Sequence, residues 1–316
     1  MMFQTTMIIT RRDAGLSGFL AITFALILFL TGFAAYGHAL TINETYPGLL
    51  SGILGSARLE PLKKGRVLIA GGVAITEADL KKVLKGQDPK MRGQLEKNLL
   101  FLLEQEATQR LLLAEAQREG IARSDGDKDQ AVMNLLERRS GHVSVSEEEL
   151  SEFYTANPVL VNQAPFEQIK EGIREYLLNE RKQMAIADYI KNLGDSSGLR
   201  VDEKWARAQS RLALDNPVDR ARRSGRPTMA EFGAAGCVPC DMMQPILESL
   251  RKTYPDTLNV VFVHVGEERI LGARYGIRSI PVQVFFDAKG KETFRHTGFF
   301  PEAEVMAQLA RMGVGR

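Results

Sequence analysis

The chain contains 316 residues, about twice the length of a typical single domain, so its length favours two domains. Lysine and arginine number 41 against 39 aspartates and glutamates, and this near-balance excludes the strongly basic surface typical of nucleic-acid-binding proteins. Only two cysteines are present, which excludes a disulfide-rich scaffold and leaves little material for a structural zinc site. Both lie in one stretch, Cys237-Val238-Pro239-Cys240, so the composition directs attention to that place.

The N-terminus has the composition of an export signal. Two arginines at 11–12 precede a stretch, 14–43, that contains no Asp, Glu, Lys or Arg. A basic flank before such an apolar run is typical of secretory leaders. Small residues at its end suit cleavage after Ala39, which predicts a leader over 1–39. If the leader stays uncleaved, residues 16–36 are long enough to anchor the chain in a bilayer core of about 30 Å.

After an expected extended segment over 40–65, the middle of the chain has the patterning of helices. Thr76 with Asp79, and Ser146 with Glu149, match helix N-caps that have an acid in the first turn. A longer helix that stops near Gly120 is indicated by apolar residues at four-residue spacing, namely Leu95, Leu99, Leu103, Ala107 and Leu111. The last long helix is expected from about 166 to 193, closed by Gly194.

The order of these elements resembles the helical domain of SurA-type periplasmic chaperones and their parvulin relatives, over residues 66–202. The motifs that resemble it are Leu68 to Leu80, the Leu-rich helix, Val145 to Leu150, Phe153-Tyr154 and Asn157. In those relatives a peptidyl-prolyl isomerase domain commonly follows the Phe-Tyr helix, whereas here only residues 158–165 separate that helix from the last one. The resemblance therefore implies polypeptide binding without isomerase activity. A purely structural helical spacer stays open as the alternative.

Between the helices and the C-terminal region we expect a solvated linker, placed at 203–212. The surrounding stretch is rich in arginine, but aspartates and glutamates interleave with it, so it lacks the pattern of a phosphate-binding run. One short helix is expected near 218–224. The only tryptophan, Trp205, lies here and is expected to pack the linker against one of the two domains.

Beyond the linker the spacing changes to an alternation of strands and helices, which predicts a small α/β sheet domain. The predicted strands are 228–232, 258–265, 282–287 and 292–297, and the predicted helices are 239–254, 267–275 and one that begins near Pro301.

The two cysteines fall at the end of the first of these strands and the start of the following helix. Unpaired N–H groups and the partial positive charge at a helix N-terminus stabilise a thiolate, so Cys237 is the expected nucleophile. Cys240, one turn later, is expected to face inward and to resolve the mixed disulfide. Two alternatives stay open: a zinc site completed by His264 and His296, and a purely structural disulfide, which would constrain the unfolded chain little across so short a loop.

Residues 213–316 resemble a thioredoxin domain. The motifs that carry the resemblance are Glu231-Phe232, Cys237-Val238-Pro239-Cys240, the helix proline Pro245, Tyr275 to Pro281, Phe285-Phe286 and Gly298. The resemblance implies a fold of two domains: an all-helical SurA-type domain followed by a thioredoxin-fold α/β domain. It also implies that Pro281 is a cis-proline facing the disulfide and that the Ile280 backbone pairs with an extended substrate chain.

Three departures from the thioredoxin pattern concern the site. Gly236 stands where a tryptophan usually precedes the first cysteine, Glu231 stands where the buried acid is commonly Asp, and Phe262 stands where many relatives have a lysine near that acid. Without the lysine, a buried Glu231 is expected to have a raised pKa and to relay a proton to or from Cys240. An ordinary edge carboxylate is the alternative.

These features together favour an exported thiol–disulfide oxidoreductase, periplasmic or anchored to the inner membrane and facing outward. Reduction is the favoured direction, because the domain resembles thioredoxin and lacks the large helical insertion of the periplasmic oxidants. The expected partners are disulfide-containing or unfolded protein clients and a membrane thiol that donates electrons, with no nucleic acid and no metal. No cofactor is expected beyond the Cys237–Cys240 disulfide itself. The alternative is a holdase-type chaperone whose thioredoxin domain mainly binds.

Overall fold

The computed structural model describes residues 39–50, 52–121, 127–156 and 164–315. The predicted leader therefore lies outside the described residues, apart from Ala39. Within the described ranges, no helix combines the length and the apolar character needed to cross a membrane. The residues from Ala39 onward form one compact unit, and we describe it as an N-terminal half, 39–213, and a C-terminal half, 214–315.

The N-terminal half is built from helices and one small sheet. Its helices are α1 (Ile42–Thr45), a 3-10 helix (Ile53–Ser56), α2 (Glu77–Lys85), α3 (Pro89–Glu96), α4 (Leu99–Arg118), α5 (Lys128–Ser140), α6 (Glu147–Ala156), α7 (Phe166–Ser196) and α8 (Glu203–Ala213). Its strands are β1 (Arg58–Glu60), β2 (Arg66–Ala70), β3 (Val73–Thr76) and β4 (Arg200–Asp202), in the sheet order β1-β4-β2-β3.

That sheet corrects the all-helical prediction for this half. Strands β2 and β3 form an antiparallel hairpin whose turn is Gly71-Gly72, with φ of +51° and +88°. Glycine occupies this left-handed region without steric cost, and two such residues make a tight hairpin turn. The strands are only five and four residues long, so the helical pattern on either side dominates the sequence signal.

The segment over 40–65, predicted as extended, contributes folded structure and core instead. It forms α1, the 3-10 helix and β1, and its Ile42, Leu49 and Leu54 are fully or almost fully buried in the N-terminal core. The predicted linker at 203–212 lies within α8, where Asp202 accepts the N–H of Trp205 at 2.9 Å as an N-cap. Trp205 packs partly buried against the same core.

The predicted start of α2 agrees with the structure, whereas the predicted lengths of two other helices differ from it. Thr76 and Asp79 form a reciprocal capping box on α2. The apolar strip from Leu95 is interrupted, because α3 ends at Glu96 and α4 begins at Leu99. Helix α7 runs three residues past 193 to Ser196, and Gly194 lies inside it. A Cβ at Gly194 would lie 2.7 Å from Ile53 Cβ, so this glycine permits close packing and does not end the helix.

The C-terminal half is a four-stranded sheet with helices on both faces. Its helices are α9 (Pro217–Arg222), α10 (Val238–Thr253), α11 (Arg269–Arg274) and α12 (Glu302–Arg311), and its strands are β5 (Thr228–Gly233), β6 (Asn259–His264), β7 (Val282–Phe286) and β8 (Glu292–Thr297). The sheet order is β6-β5-β7-β8, with β5 parallel to β6 and antiparallel to β7. One face packs on α10 and α12 and the other on α9 and α11, so every residue of the central strand β5 is buried.

A buried arginine of the C-terminal half, Arg274, makes polar contacts with both halves. Arg274 of α11 has a side chain only 2% exposed, and its Nη2 lies 3.1 Å from Oδ2 of the equally buried Asp219 of α9. The same guanidinium donates to Ala213 O at 2.8 Å and to Asn98 Oδ1 at 3.2 Å, both in the N-terminal half. Removing Asp219 would leave Arg274 without its counter-charge inside the protein, which is strongly unfavourable. The two halves are therefore held together by specific polar contacts as well as by apolar packing.

Candidate active site

The two cysteines form a disulfide at the N-terminus of α10. Cys237 is the N-cap residue of that helix, and Cys240 lies in its first turn, with the two Cα atoms 5.2 Å apart. Cys237 is half-buried whereas Cys240 is only 1% exposed, so an incoming molecule can approach the first sulfur but not the second. The free N–H groups and the dipole of α10 stabilise negative charge on Cys237 when the pair is reduced.

The loop that leads into Cys237 is supported from below by a histidine. The Ala235 N–H donates to His264 Nε2 at 3.2 Å, and Gly236 has φ +76°, a conformation that favours glycine. The sequence predicts a role for His264 only as a zinc ligand. A histidine is unusual in an apolar strand, but no sequence pattern indicates its hydrogen bond to Ala235, which lies 29 positions away.

The two histidines of the zinc alternative both have other partners. His264 Nε2 is engaged by the loop, and His296 stacks on Phe300 with ring centroids 4.2 Å apart. Both cysteines are consumed by the disulfide. Among the described residues, no group of three or more His, Cys, Asp or Glu side chains is arranged to hold a metal ion.

The peptide bond between Ile280 and Pro281 is cis, as the thioredoxin resemblance implies. Strand register pairs Phe232 with Val282, and one further residue along each strand places Pro281 opposite Gly233. A Cβ at Gly233 would lie 3.5 Å from Cys240 Sγ, so Gly233 directly faces the buried cysteine. The cis-proline and the disulfide therefore meet at the same end of the sheet.

Glu231 lies in the central strand and is fully buried, so the edge-carboxylate alternative is wrong. It is flanked in register by Phe262 on β6 and Gln283 on β7, and neither carboxyl oxygen has a hydrogen-bond partner among the described residues. Burial away from water raises the pKa of Glu231 to about 7, and the nearby Gln283 amide opposes that rise. Because side chains alternate along a strand, Glu231 and Gly233 share the face that carries Cys240.

Two exposed apolar side chains follow Cys237 in the first turns of α10. Val238, next to Cys237, is 71% exposed, and Met242, one turn further along α10, is 49% exposed. Exposed apolar side chains at a reactive group are typical of a surface that contacts other molecules. The site thus combines an accessible sulfur, a buried resolving sulfur, a carboxyl that titrates near neutrality and an apolar rim.

Comparison with known proteins places this site in a family. Residues 214–313 match the family model of the thioredoxin-like domain. A thioredoxin of Alicyclobacillus acidocaldarius is 32% identical over 96 residues, which cover 30% of this chain and 90% of that protein. A thioredoxin of Acidithiobacillus ferridurans is 34% identical over 87 residues, covering 28% of this chain and 80% of that protein.

A larger relative contains the same kind of domain. A protein disulfide-isomerase of Neurospora crassa is 32% identical over 90 residues, which cover 28% of this chain and 24% of that protein. These relatives, together with the disulfide formed by Cys237 and Cys240, support thiol–disulfide oxidoreductase activity. The family model matches residues of the C-terminal half, and the resemblance of the N-terminal half to SurA-type chaperones stays a prediction. Through residues 214–313, the chain belongs to the thioredoxin family.

Proposed function

We propose that the protein is an exported protein-disulfide reductase. The observation that carries the proposal is the pairing of a half-buried Cys237, at a helix N-terminus, with a buried Cys240 beside a cis-proline. In the reduced enzyme the Cys237 thiolate attacks a client disulfide, forms a mixed disulfide and releases the first client thiolate. The Cys240 thiolate then attacks the Cys237 sulfur, which releases the second client thiol and restores the Cys237–Cys240 disulfide.

The resolving step requires a proton acceptor, and Glu231 is suited to it. Cys240 is almost inaccessible to solvent, so its thiol cannot easily lose a proton to bulk water. Glu231 lies on the same face of the sheet, and its pKa of about 7 lets it hold or release a proton near neutrality. In this scheme Glu231 accepts the Cys240 proton as Cys240 attacks, and donates it when the reaction runs in the opposite direction.

Each turnover consumes two electrons, so an exported reductase needs a donor. We assign that role to a membrane thiol, which reduces the Cys237–Cys240 disulfide by the same exchange chemistry. The N-terminal half would hold client polypeptides while the dithiol reacts. Cell fractionation with an antibody tests the location: recovery of the mature protein only in the cytoplasm would contradict export.

A second candidate function is a holdase in which the thioredoxin domain only binds. It is favoured by apolar side chains that helix α7 exposes to solvent, namely Tyr176 and Met184. A holdase would suppress aggregation of an unfolded client equally well as wild type and as Cys237→Ser, and would leave disulfides intact.

Insulin reduction with dithiothreitol as the electron source separates the two functions. The wild type is expected to accelerate precipitation of the insulin B chain, and Cys237→Ser is expected to lower the rate to that of dithiothreitol alone. A rate unaffected by Cys237→Ser would rule out the reductase. Equilibration with glutathione gives the direction: a potential near about −270 mV fits a reductase, and one near about −120 mV an oxidant.

A further inference from the structure

We propose that helix α7 of the N-terminal half forms, with the loop before the cis-proline, a cleft that binds an extended segment of the client polypeptide. The cleft has a volume of about 520 Å³. Its assignment as a client-binding site depends on the proposed reductase function. One wall is the helix face that carries Tyr176 and Met184, and the other is the loop from Gly276 to Ser279 together with Val282. Because Val282 directly follows Pro281, this wall of the cleft adjoins the cis-proline.

The loop wall offers backbone groups to a peptide. Among the described residues, no hydrogen bond is made by the backbone N–H or C=O of Ser279 or Ile280, whereas Pro281 O accepts from Gly298 N–H at 2.8 Å. Unpaired backbone groups in an extended loop can pair with an extended chain, as an added strand pairs with a sheet edge. The successive N–H and C=O groups of an extended polypeptide can hydrogen-bond with several of these backbone groups at once, whereas a compact small molecule cannot.

The helix wall offers apolar contact. Tyr176 and Met184 are eight residues apart, so they lie two turns apart on one face of α7, and they are 51% and 57% exposed. Exposure of two such side chains in a cleft that adjoins the cis-proline loop suits contact with varied client side chains. Methionine adapts its flexible chain to different shapes, and tyrosine combines an apolar ring with a polar tip.

The two walls are held at a fixed separation. On the loop side, Arg274 precedes the loop and is held by Asp219 of its own half and by Ala213 O of the N-terminal half. On the helix side, Gly194 of α7 lies against Ile53 in the N-terminal core. A cleft that exists before the client arrives costs less ordering on binding than one that must form around it.

The charges of the cleft favour a polypeptide over a polyanion. Glu180 on the helix wall and Arg278 on the loop wall have opposite signs, and neither forms an ion pair among the described residues. Arg295, which also lines the cleft, is paired with Glu292 at 2.8 Å. A cleft lined by charges of both signs lacks the positive potential that would attract nucleic acid or a phosphorylated surface.

The test compares the rates at which the protein reduces a disulfide in a polypeptide and a disulfide in a small molecule. Pre-reduced protein reacts in a single turnover with insulin and, separately, with bis(hydroxyethyl) disulfide, and the loss of protein thiols is followed by alkylation. The double variant Tyr176→Ser/Met184→Ser is expected to slow the reaction with insulin about tenfold, because two apolar contacts are lost, and to leave the small disulfide unaffected. Met133→Ser, which removes a side chain that is 64% exposed on α5, is the matched control and should change neither rate.

The outcomes distinguish this inference from the proposed function. If the double variant reacts with insulin as fast as wild type, the cleft proposal is overturned and the reductase stands. An equal loss on both substrates also overturns it, because that pattern reports a damaged dithiol. If wild type reduces neither substrate, the reductase itself fails.

A second measurement does not depend on rates. Benzoylphenylalanine at position 184, in a Cys240→Ser background, should crosslink to insulin trapped on Cys237, whereas the same group at position 133 should not. Equal crosslinking at both positions would contradict a client in the cleft.

Discussion

Replacing Glu231 by glutamine should remove a pH-dependent loss of stability. The pKa of this carboxyl is about 7 in the folded protein and 4.5 in the unfolded chain, so the folded state holds the proton more tightly. As pH rises from 4.5 to 7, the unfolded chain gives up this proton first, and the free energy of unfolding falls. A tenfold change in proton affinity corresponds to about 1.4 kcal/mol, so the full loss amounts to about 3 kcal/mol above pH 7.

Urea unfolding of the oxidised protein at pH 4.5, 6 and 8 measures this effect. We expect the difference in free energy of unfolding, Glu231→Gln minus wild type, to grow by about 3 kcal/mol between pH 4.5 and pH 8. Far-ultraviolet circular dichroism and the fluorescence of the single Trp205 should give coincident transitions, since a two-state analysis requires them to coincide.

Glu104 supplies the matched control, because burial raises its pKa to about 7 as well. It lies in α4, in the N-terminal half, and accepts the Leu54 N–H at 3.1 Å. Glu104→Gln should remove its own part of the pH dependence and leave the part due to Glu231. If the wild-type and Glu231→Gln curves ran parallel from pH 4.5 to 8, the assignment of a raised pKa to Glu231 would be refuted.

Two further predictions concern packing. Asp219→Asn should lower the free energy of unfolding by about 3–5 kcal/mol, because it leaves Arg274 buried without a counter-charge, and a loss under about 1 kcal/mol in urea unfolding would contradict that. Gly194→Ala should destabilise by about 1–3 kcal/mol, because its Cβ would overlap Ile53, whereas Gly172→Ala on the same helix, with open space at its Cβ, should stabilise by about 0.5–1 kcal/mol. If thermal melting moved in the same direction for both glycine variants, the close approach at Gly194 would be disproved.

The elements that could be predicted from the sequence are those with local signals. Strands β5, β6 and β7 have short apolar runs bounded by turn residues, and β8 follows the hairpin turn at 288–291. The capping box at Thr76 marks the start of α2 through two residues only three positions apart. The cysteine pair indicated its own chemistry for the same reason, because strand, cysteines and helix are consecutive in the chain.

The elements that could not be predicted depend on distant partners. Gly194 has the pattern of a helix end, and only its approach to Ile53, 141 positions earlier, explains why the helix continues. Asp219 lies in a stretch where arginines and acids interleave, and its partner Arg274 lies 55 positions later, so nothing local distinguishes either from a solvated side chain. The family resemblance predicts that Glu231 is buried. That both of its carboxyl oxygens lack a hydrogen-bond partner could be seen only once its neighbours on β6 and β7 were known.

The most direct test of the central claim, that Cys237 attacks and Cys240 resolves, is trapping of the mixed disulfide. Reduced Cys240→Ser is mixed with insulin, quenched with acid and analysed by mass spectrometry after proteolysis, in parallel with reduced Cys237→Ser. We predict that Cys240→Ser accumulates an insulin chain bound to Cys237 and that Cys237→Ser, whose remaining thiol is buried, accumulates none. An adduct on Cys240 of equal or greater yield would contradict the account.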